Sequence, residues 1–210
     1  MIHPGQFWVG TTLKKWSVFG WRQHVGNTQR QGIEFALSSR WDALSATLHF
    51  SHINATFESP FAINQPSNSS ADAAGNIYVQ PGNQIPGIPQ NSIKLRLQYD
   101  FGTQASLGMN IIYTSSVYAL GDQNNQDVNG QVPGYTVVNL DGRYSVAKGW
   151  EAFARVTNAF NQKYATTGVL GQNYFTGPGN SFNGNNPVNE QFRGPGAPRG
   201  MWIGLRYQWQ

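Results

Sequence analysis

The chain alternates. Near its C-terminus Met201, Ile203, Leu205, Tyr207 and Trp209 are separated by Trp202, Gly204, Arg206 and Gln208. A β-strand turns successive side chains to opposite faces, so this run predicts one continuous apolar face and one that is mainly small or polar. The same period recurs upstream in Ile93, Leu95, Leu97, Tyr99 and Phe101, and again in Leu107, Met109, Ile111, Tyr113 and Val117. It returns in Val138, Leu140, Tyr144 and Val146, and in Trp150, Ala152, Ala154, Val156 and Phe160. Ile33, Phe35 and Leu37 carry it near the start, followed by Leu44, Ala46, Leu48 and Phe50. There the phase slips to Ile53, Ala55 and Phe57, which predicts either a bulge or the exit of a strand from a bilayer. About seven strands result, and a weaker eighth pattern lies between Phe7 and Phe19.

A soluble sandwich alternates too. Three features favour a transmembrane barrel. Aromatics gather at the apolar strand ends, as Tyr99, Phe101, Tyr144, Trp150, Tyr207 and Trp209; such a girdle marks a membrane interface. The segments approach the ~9–11 residues of a tilted membrane strand. Connectors alternate in length: short around Arg40-Trp41-Asp42, Gly102-Thr103-Gln104 and Lys148-Gly149, long across Glu58–Asn91, Ala119–Pro133 and Asn161–Pro198. Outer-membrane barrels carry short periplasmic turns and long external loops, so Trp209 is expected at the periplasmic surface. Proline and glycine in Glu58–Asn91 and Asn161–Pro198 predict that these are the least regular segments. The fold class expected is all-β, an antiparallel meander of about seven strands within a larger outer-membrane barrel.

Composition narrows the alternatives. Charged residues make up only 11% of the chain, about half the share of an ordinary soluble domain. Mean hydropathy is −0.44, and no apolar run reaches the ~18 residues of a membrane-spanning helix. A barrel escapes that average because it hides its apolar half by alternation. The formal charge of +4 comes from scattered Lys and Arg, not from a patch suited to nucleic acid. Cysteine is absent, which removes disulfides and thiolate metal sites. The residues from Met1 do not form a signal peptide, so a mature or truncated chain is expected.

Chemical constellations are few. His49, Ser51 and His52 lack a neighbouring acid in sequence, and a triad needs one; polar residues of a barrel rim are the expected reading, and the chain is expected not to be an enzyme. Asp122-Gln123-Asn124-Asn125-Gln126-Asp127 offers oxygens at the alternate spacing of a calcium loop, but Asp127 stands where the glycine is expected, so a solvated turn is the plainer expectation. Tyr174, Phe175, Phe182 and Phe192 in the last long loop, with Tyr118 at a strand's outer end, suit capture of a chelate or sugar or, equally, loop packing. No zinc spacing, phosphate loop or dinucleotide fingerprint is present, so no cofactor is expected.

Several stretches resemble the C-terminal barrel of TonB-dependent outer-membrane receptors. They are Asn27-Thr28-Gln29-Arg30-Gln31-Gly32-Ile33-Glu34, Ile85-Pro86-Gly87-Ile88-Pro89, Pro133-Gly134-Tyr135 with Val138-Asn139-Leu140, Val156-Thr157-Asn158-Ala159-Phe160-Asn161-Gln162-Lys163-Tyr164, and Pro195-Gly196-Ala197-Pro198-Arg199. Met201, Ile203, Leu205, Tyr207 and Trp209 resemble the family's barrel-assembly signal, except that Gln210 follows the aromatic. The resemblance implies bacterial outer-membrane lipid around the chain and assembly by the barrel machinery. It implies energy-dependent uptake of a scarce small molecule, such as an iron chelate or cobalamin, driven by the TonB complex. Residues 1–210 would be the C-terminal section of a receptor whose plug, N-terminal box and earlier strands lie elsewhere. The competing expectations are a self-contained small barrel serving as adhesin or anchor, and a soluble carbohydrate-binding β-domain.

Overall fold

The computed structural model describes residues 26–209. Its strands are β1 (Thr28–Trp41), β2 (Leu44–Phe57), β3 (Phe61–Asn64), β4 (Asn76–Val79), β5 (Asn91–Phe101), β6 (Ala105–Thr114), β7 (Tyr135–Ala147), β8 (Trp150–Thr157), β9 (Ala165–Asn173), β10 (Val188–Pro195) and β11 (Gly200–Tyr207). Seven of them form one sheet in the order β1-β2-β5-β6-β7-β8-β11, each antiparallel to the next. This is the expected meander. The eighth pattern, between Phe7 and Phe19, lies outside the described residues.

Register decides which side chains share a face, because directly paired residues point the same way. One row runs Leu37, Leu48, Leu95, Ile111, Val138 across five strands. The next runs Ala46, Leu97, Met109, Leu140, Val156, Met201. Ile203 pairs with Ala154 and Leu205 with Ala152 on the same side. The opposite face carries its own row: Arg40, Ser45, Gln98, Gly108, Asp141, Arg155 and Trp202. Arg206 pairs with Glu151 on that polar face as well. From Met201 to Tyr207 each residue of the C-terminal alternation thus falls where its parity places it, and Gln208 and Trp209 lie beyond the paired strand.

The apolar face is uncovered: Ile203 is 88% exposed and Leu205 67%. A continuous apolar surface of this extent is not stable in water; in a bilayer it is the solvated side. At its short-turn edge the rings touch, Tyr99 on Phe101 at 4.7 Å and Trp150 on Tyr207 at 4.9 Å. Gly149 makes the β7–β8 turn at φ 78°, and a side chain there would strike the Tyr207 ring.

The slip after Phe50 is not a bulge. β1 and β2 stay in unbroken register from Thr28–Phe57 to Trp41–Leu44. What changes is the medium. Beyond Phe50 the formerly apolar face turns polar, with His52, Asn54 and Thr56 facing Ile33, Gln31 and Gln29. On the other face Ala55 and Phe57 become buried beneath the long connections. Such an inversion is what a strand shows when it passes from lipid into water.

The expectation of irregular long connections is corrected. β3 and β4 pair as a hairpin within Glu58–Asn91, and β9 and β10 pair over eight residues within Asn161–Pro198. The largest fully buried side chains of the described residues belong to the long connections: Ile77 and Val79 to Glu58–Asn91, and Asp122 and Val132 to Ala119–Pro133. Proline and glycine did not prevent pairing. Pro195 sits at the end of the β9–β10 ladder, where a register shift absorbs it.

Candidate functional site

Three long connections close over the outer strand ends as one cap. Its small apolar centre is Ala119 and Val132 from one connection and Leu170 from another, with Val117 and Ala165 packed against it. Backbone bonds sew the pieces together: Leu120 N–H donates to Gly168 O at 2.9 Å, and Leu170 N–H donates to Leu120 O at 2.8 Å. Ile85 N–H donates to Ala55 O, and Gly87 N–H to Tyr118 O.

The cap is locked by polar side chains. Asn68, 2% exposed, donates through Nδ2 to Gly121 O, Asp122 Oδ1 and Asn124 Oδ1 at 3.0–3.2 Å. Its Oδ1 accepts from Ser70 N–H and Oγ. Asn124 Nδ2 returns to Ser70 Oγ at 2.7 Å. Asp127 Oδ2 accepts from the N–H and hydroxyl of Ser69. Asn125 mimics a strand, its side-chain amide exchanging two bonds with the Gln84 backbone. Asp122 Oδ1 also accepts from the backbone N–H of Gln126 and Asp127. The spacing that reads as a cation loop is therefore spent on bracing the turn. Among the described residues no group of three or more His, Cys, Asp or Glu side chains is arranged to hold a metal ion.

Two carboxyls in the cap respond oppositely to pH. Burial pushes Asp122 above the ordinary carboxylate range, and its other oxygen, Oδ2, has no partner. Burial also opposes ionisation of Asp127, but hydrogen bonds from Ser69 and Asn129 outweigh it and hold its carboxyl below that range. The raised group favours the fold when neutral, so its contribution is full at low pH and is lost as pH climbs through the raised value. Asp127 contributes above the ordinary value and fails only below it. Acidifying from neutral towards the ordinary carboxylate range should therefore tighten the cap through Asp122. Hydrogen exchange at Gln126 and Asp127, corrected for intrinsic rate, should slow, and Asp122→Asn should abolish the dependence. Faster exchange at the lower pH would reverse the assignment.

The aromatics singled out in the sequence do not form one site. Tyr174 stacks on Phe182 at 6.1 Å, and Phe175 meets the same ring edge-on at 6.1 Å. These three form an exposed cluster beyond the β9–β10 ladder. Phe192 lies within that ladder, paired with Val169, and Tyr118 is half-buried at the base of the cap. His49 and Ser51 share the polar face as expected, and Glu34 pairs with Ser51 across β1–β2. No hydrogen bond joins these three among the described residues, whereas His52 faces the other way and bonds Asn91 at 2.9 Å.

Alternation places Arg96, Arg155 and Arg206 together on the polar face, and there the register builds a charge belt whose pairings the sequence did not reveal. Arg96 forks onto both oxygens of Asp141, passing over Gly108, where a Cβ would collide with the guanidinium. Arg96 also bonds Gln98, Gln98 bonds Asp100, and Asp100 reaches Arg40 at 3.6 Å. Glu151 lies 3.5 Å from Arg206 and 4.0 Å from Arg143, whose Nε donates to Ser106. A depression of about 830 Å³ opens among Asp141, Arg143, Glu151, Arg155, Trp202 and Arg206. The signal was available in the parity of these residues, but their pairing was not.

The chain matches the family model described as TonB dependent receptor-like, beta-barrel over residues 7–159. Among solved structures it is similar to the siderophore receptor PiuA from Acinetobacter baumannii, at 17% identity and a TM-score of 0.60, covering 86% of this chain and 22% of that one. The ferric yersiniabactin uptake receptor FyuA from Yersinia pestis gives 15% identity and a TM-score of 0.59, covering 89% and 24%. The ferric-catecholate import receptor Fiu from K12 E. coli gives 18% identity and a TM-score of 0.55, covering 85% and 20%. At these identities the likeness shows the fold. The chain spans under a quarter of the length of these structures. No curated protein matches the sequence.

Proposed function

This chain belongs to the TonB-dependent receptor-like β-barrel family of the bacterial outer membrane, and from that premise we propose that it is a contiguous wall and cap of a larger receptor that imports a ferric chelate. The observation that carries the reading is the two-faced sheet: unbroken apolar rows on one face, a charge belt on the other, and, among the described residues, a folded cap at one end. Short turns then face the periplasm and the cap faces outward. The seven strands leave β1 and β11 as sheet edges among the described residues. Unpaired backbone costs several kcal/mol per group in lipid, which favours further strands of the same receptor on both sides. The last strand, with Met201, Ile203, Leu205, Tyr207 and Trp209, serves as the signal read by the assembly machinery. The TonB complex supplies the energy.

Ligand capture is assigned to Tyr174, Phe175 and Phe182, which project from the cap with rings already mutually ordered. Exposed, preorganised rings are well suited to the flat apolar faces of a chelator's ring or amide groups. In cells expressing the full receptor, Tyr174→Ala with Phe182→Ala should weaken binding of the recognised chelate, chosen from radiolabelled ferric catecholate, hydroxamate and citrate complexes, by about ten-fold or more. Barrel folding, read by heat-modifiable migration, should be unchanged. Undiminished affinity would remove the rings from the site; uptake independent of TonB would remove the transport reading.

A further inference from the structure

We propose that Asn183 is a site of spontaneous deamidation, and that the modification unseats the ring cluster at the tip of the cap. The modification follows from the local chemistry of the chain, and its consequence for binding rests on the ligand-capture reading above. The sequence holds two Asn-Gly pairs, Asn129-Gly130 and Asn183-Gly184. Glycine lacks a Cβ, so its backbone nitrogen is open to close approach by the asparagine amide before it. The two pairs sit in opposite settings.

Asn129 is locked. Its Nδ2 donates to Asp127 Oδ1 at 2.9 Å, and its backbone N–H donates to the same oxygen at 3.0 Å. Gly130 N–H, the group that would attack, donates to Asp127 O at 2.9 Å, and Gly130 O accepts from Gln191 Nε2. At Asn183 neither reacting group is held. Among the described residues its side-chain amide has no hydrogen-bond partner, and neither has Gly184 N–H. The pair lies where β9 has ended at Asn173 and β10 has not yet begun at Val188. Backbone with few hydrogen bonds samples the bent geometries that such an attack requires. Gly184, Asn185 and Asn186 are exposed to the water that completes the reaction.

The step needs no co-reactant except water. Gly184 N attacks Asn183 Cγ and closes a cyclic imide; the Cγ–Nδ2 bond breaks, and ammonia leaves with the proton that Gly184 gives up. Water then opens the imide at either carbonyl, leaving aspartate or isoaspartate. Both carry a new negative charge, and isoaspartate also adds a carbon to the main chain. That carbon enters between two contacts that seat the rings. Asn183 N–H donates to Tyr174 O at 2.6 Å. The Phe182 ring lies over Gly184, where a Cβ would stand 3.1 Å from it. The stack of Tyr174 on Phe182 therefore depends on the backbone that the reaction rebuilds. The new charge also appears directly beside Phe182, a ring 70% exposed.

The test incubates the full receptor, in outer-membrane vesicles, at mildly alkaline pH in water carrying heavy oxygen. Peptide mass spectra should show ammonia lost and labelled oxygen gained at Asn183 several-fold faster than at Asn129. Protein-isoaspartate methyltransferase should label the Asn183 peptide. Affinity for the radiolabelled ferric catecholate, hydroxamate or citrate complex that the receptor recognises should fall about ten-fold as conversion completes, the loss expected when an anchoring ring leaves its seat. Asn183→Gln should resist conversion and keep its starting affinity through the same incubation. Heat-modifiable migration reports the barrel separately. Conversion at Asn183 no faster than at Asn129 overturns the proposal. Conversion with undiminished affinity, in a receptor that Tyr174→Ala with Phe182→Ala does weaken, overturns the unseating and leaves the ring reading standing. Conversion in a receptor whose ring variants bind like the parent overturns the ring reading and the unseating together, and leaves Asn183 as the modified residue.

Discussion

Replacing Asn158 with alanine should lower folding stability by about 3 kcal/mol, although the residue touches neither lipid nor the exposed rings. Asn158 ends β8 at φ 48° and is 2% exposed. Its Nδ2 donates to Gln162 O at 2.9 Å and Ala197 O at 3.0 Å, and its Oδ1 accepts from Gln162 N–H at 2.8 Å. One side chain thus joins the end of β8 to the segment that leads into β11. Alanine pays roughly 1–2 kcal/mol for the left-handed backbone, which asparagine tolerates better. Losing three hydrogen bonds adds roughly 0.5–1.5 kcal/mol each, at the lower end here because Gln162 and Ala197 are exposed and can turn to water. Asn158→Gly should recover the backbone part alone. Asn158→Asp should fail, since it keeps the acceptor but presents charge to two carbonyls. Urea titration of the heat-modifiable band on the full receptor measures all three. An alanine variant within about 0.5 kcal/mol of the parent sinks the argument.

The sheet was legible because its information is local. Parity alone put Leu97, Met109, Leu140, Val156 and Met201 on one face, and the register then aligned them as a single row. The cap was not legible, because its information is spread along the chain. Asn68 reaches Asp122 across 54 positions, and Asn189 reaches Pro66 O across 123. Asn, Ser and Asp in such a loop look the same whether they face water or one another. β3 and β4 span four residues each, too few for periodicity to show. The glycines of β9 and β10 read as breakers, yet Gly168 and Gly194 pair with Arg193 and Thr167 in the ladder. The charge belt falls between these cases. Parity gave its face, but only register could show that Arg96 finds Asp141 and that Arg155 finds none. Among the aromatics, sequence marked the right loop but could not separate the clustered rings of Tyr174, Phe175 and Phe182 from Phe192 in the ladder.

Asn68→Asp should unlock the cap at neutral pH, at a local cost of about 4 kcal/mol, with the barrel below it intact. The substitution hardly alters shape, so chemistry is the variable. Nδ2 of Asn68 supplies Gly121 O, Asp122 Oδ1 and Asn124 Oδ1; a carboxylate supplies no proton to any of them. It would also stand within hydrogen-bond distance of Asp122, which burial already holds above the usual range. None of the salt bridges among the described residues reaches the cap, so no cation offsets the new charge there. An uncompensated buried charge of this kind typically costs about 3–5 kcal/mol. Because Asn68 belongs to one connection and Gly121, Asp122 and Asn124 to another, both should loosen together. Hydrogen exchange should rise in concert around Ser69, Gln126 and Asp127, and external protease should cut residues 65–75 and 121–130 in the same step. Asn68→Ala, which removes the donor without adding charge, should fall between the parent and the aspartate. Affinity for the proposed ferric chelate should drop with cap order, whereas the urea midpoint of the heat-modifiable barrel should stay near the parent's. Independent loosening of one connection, with the other still protected, would show that Asn68 does not join them.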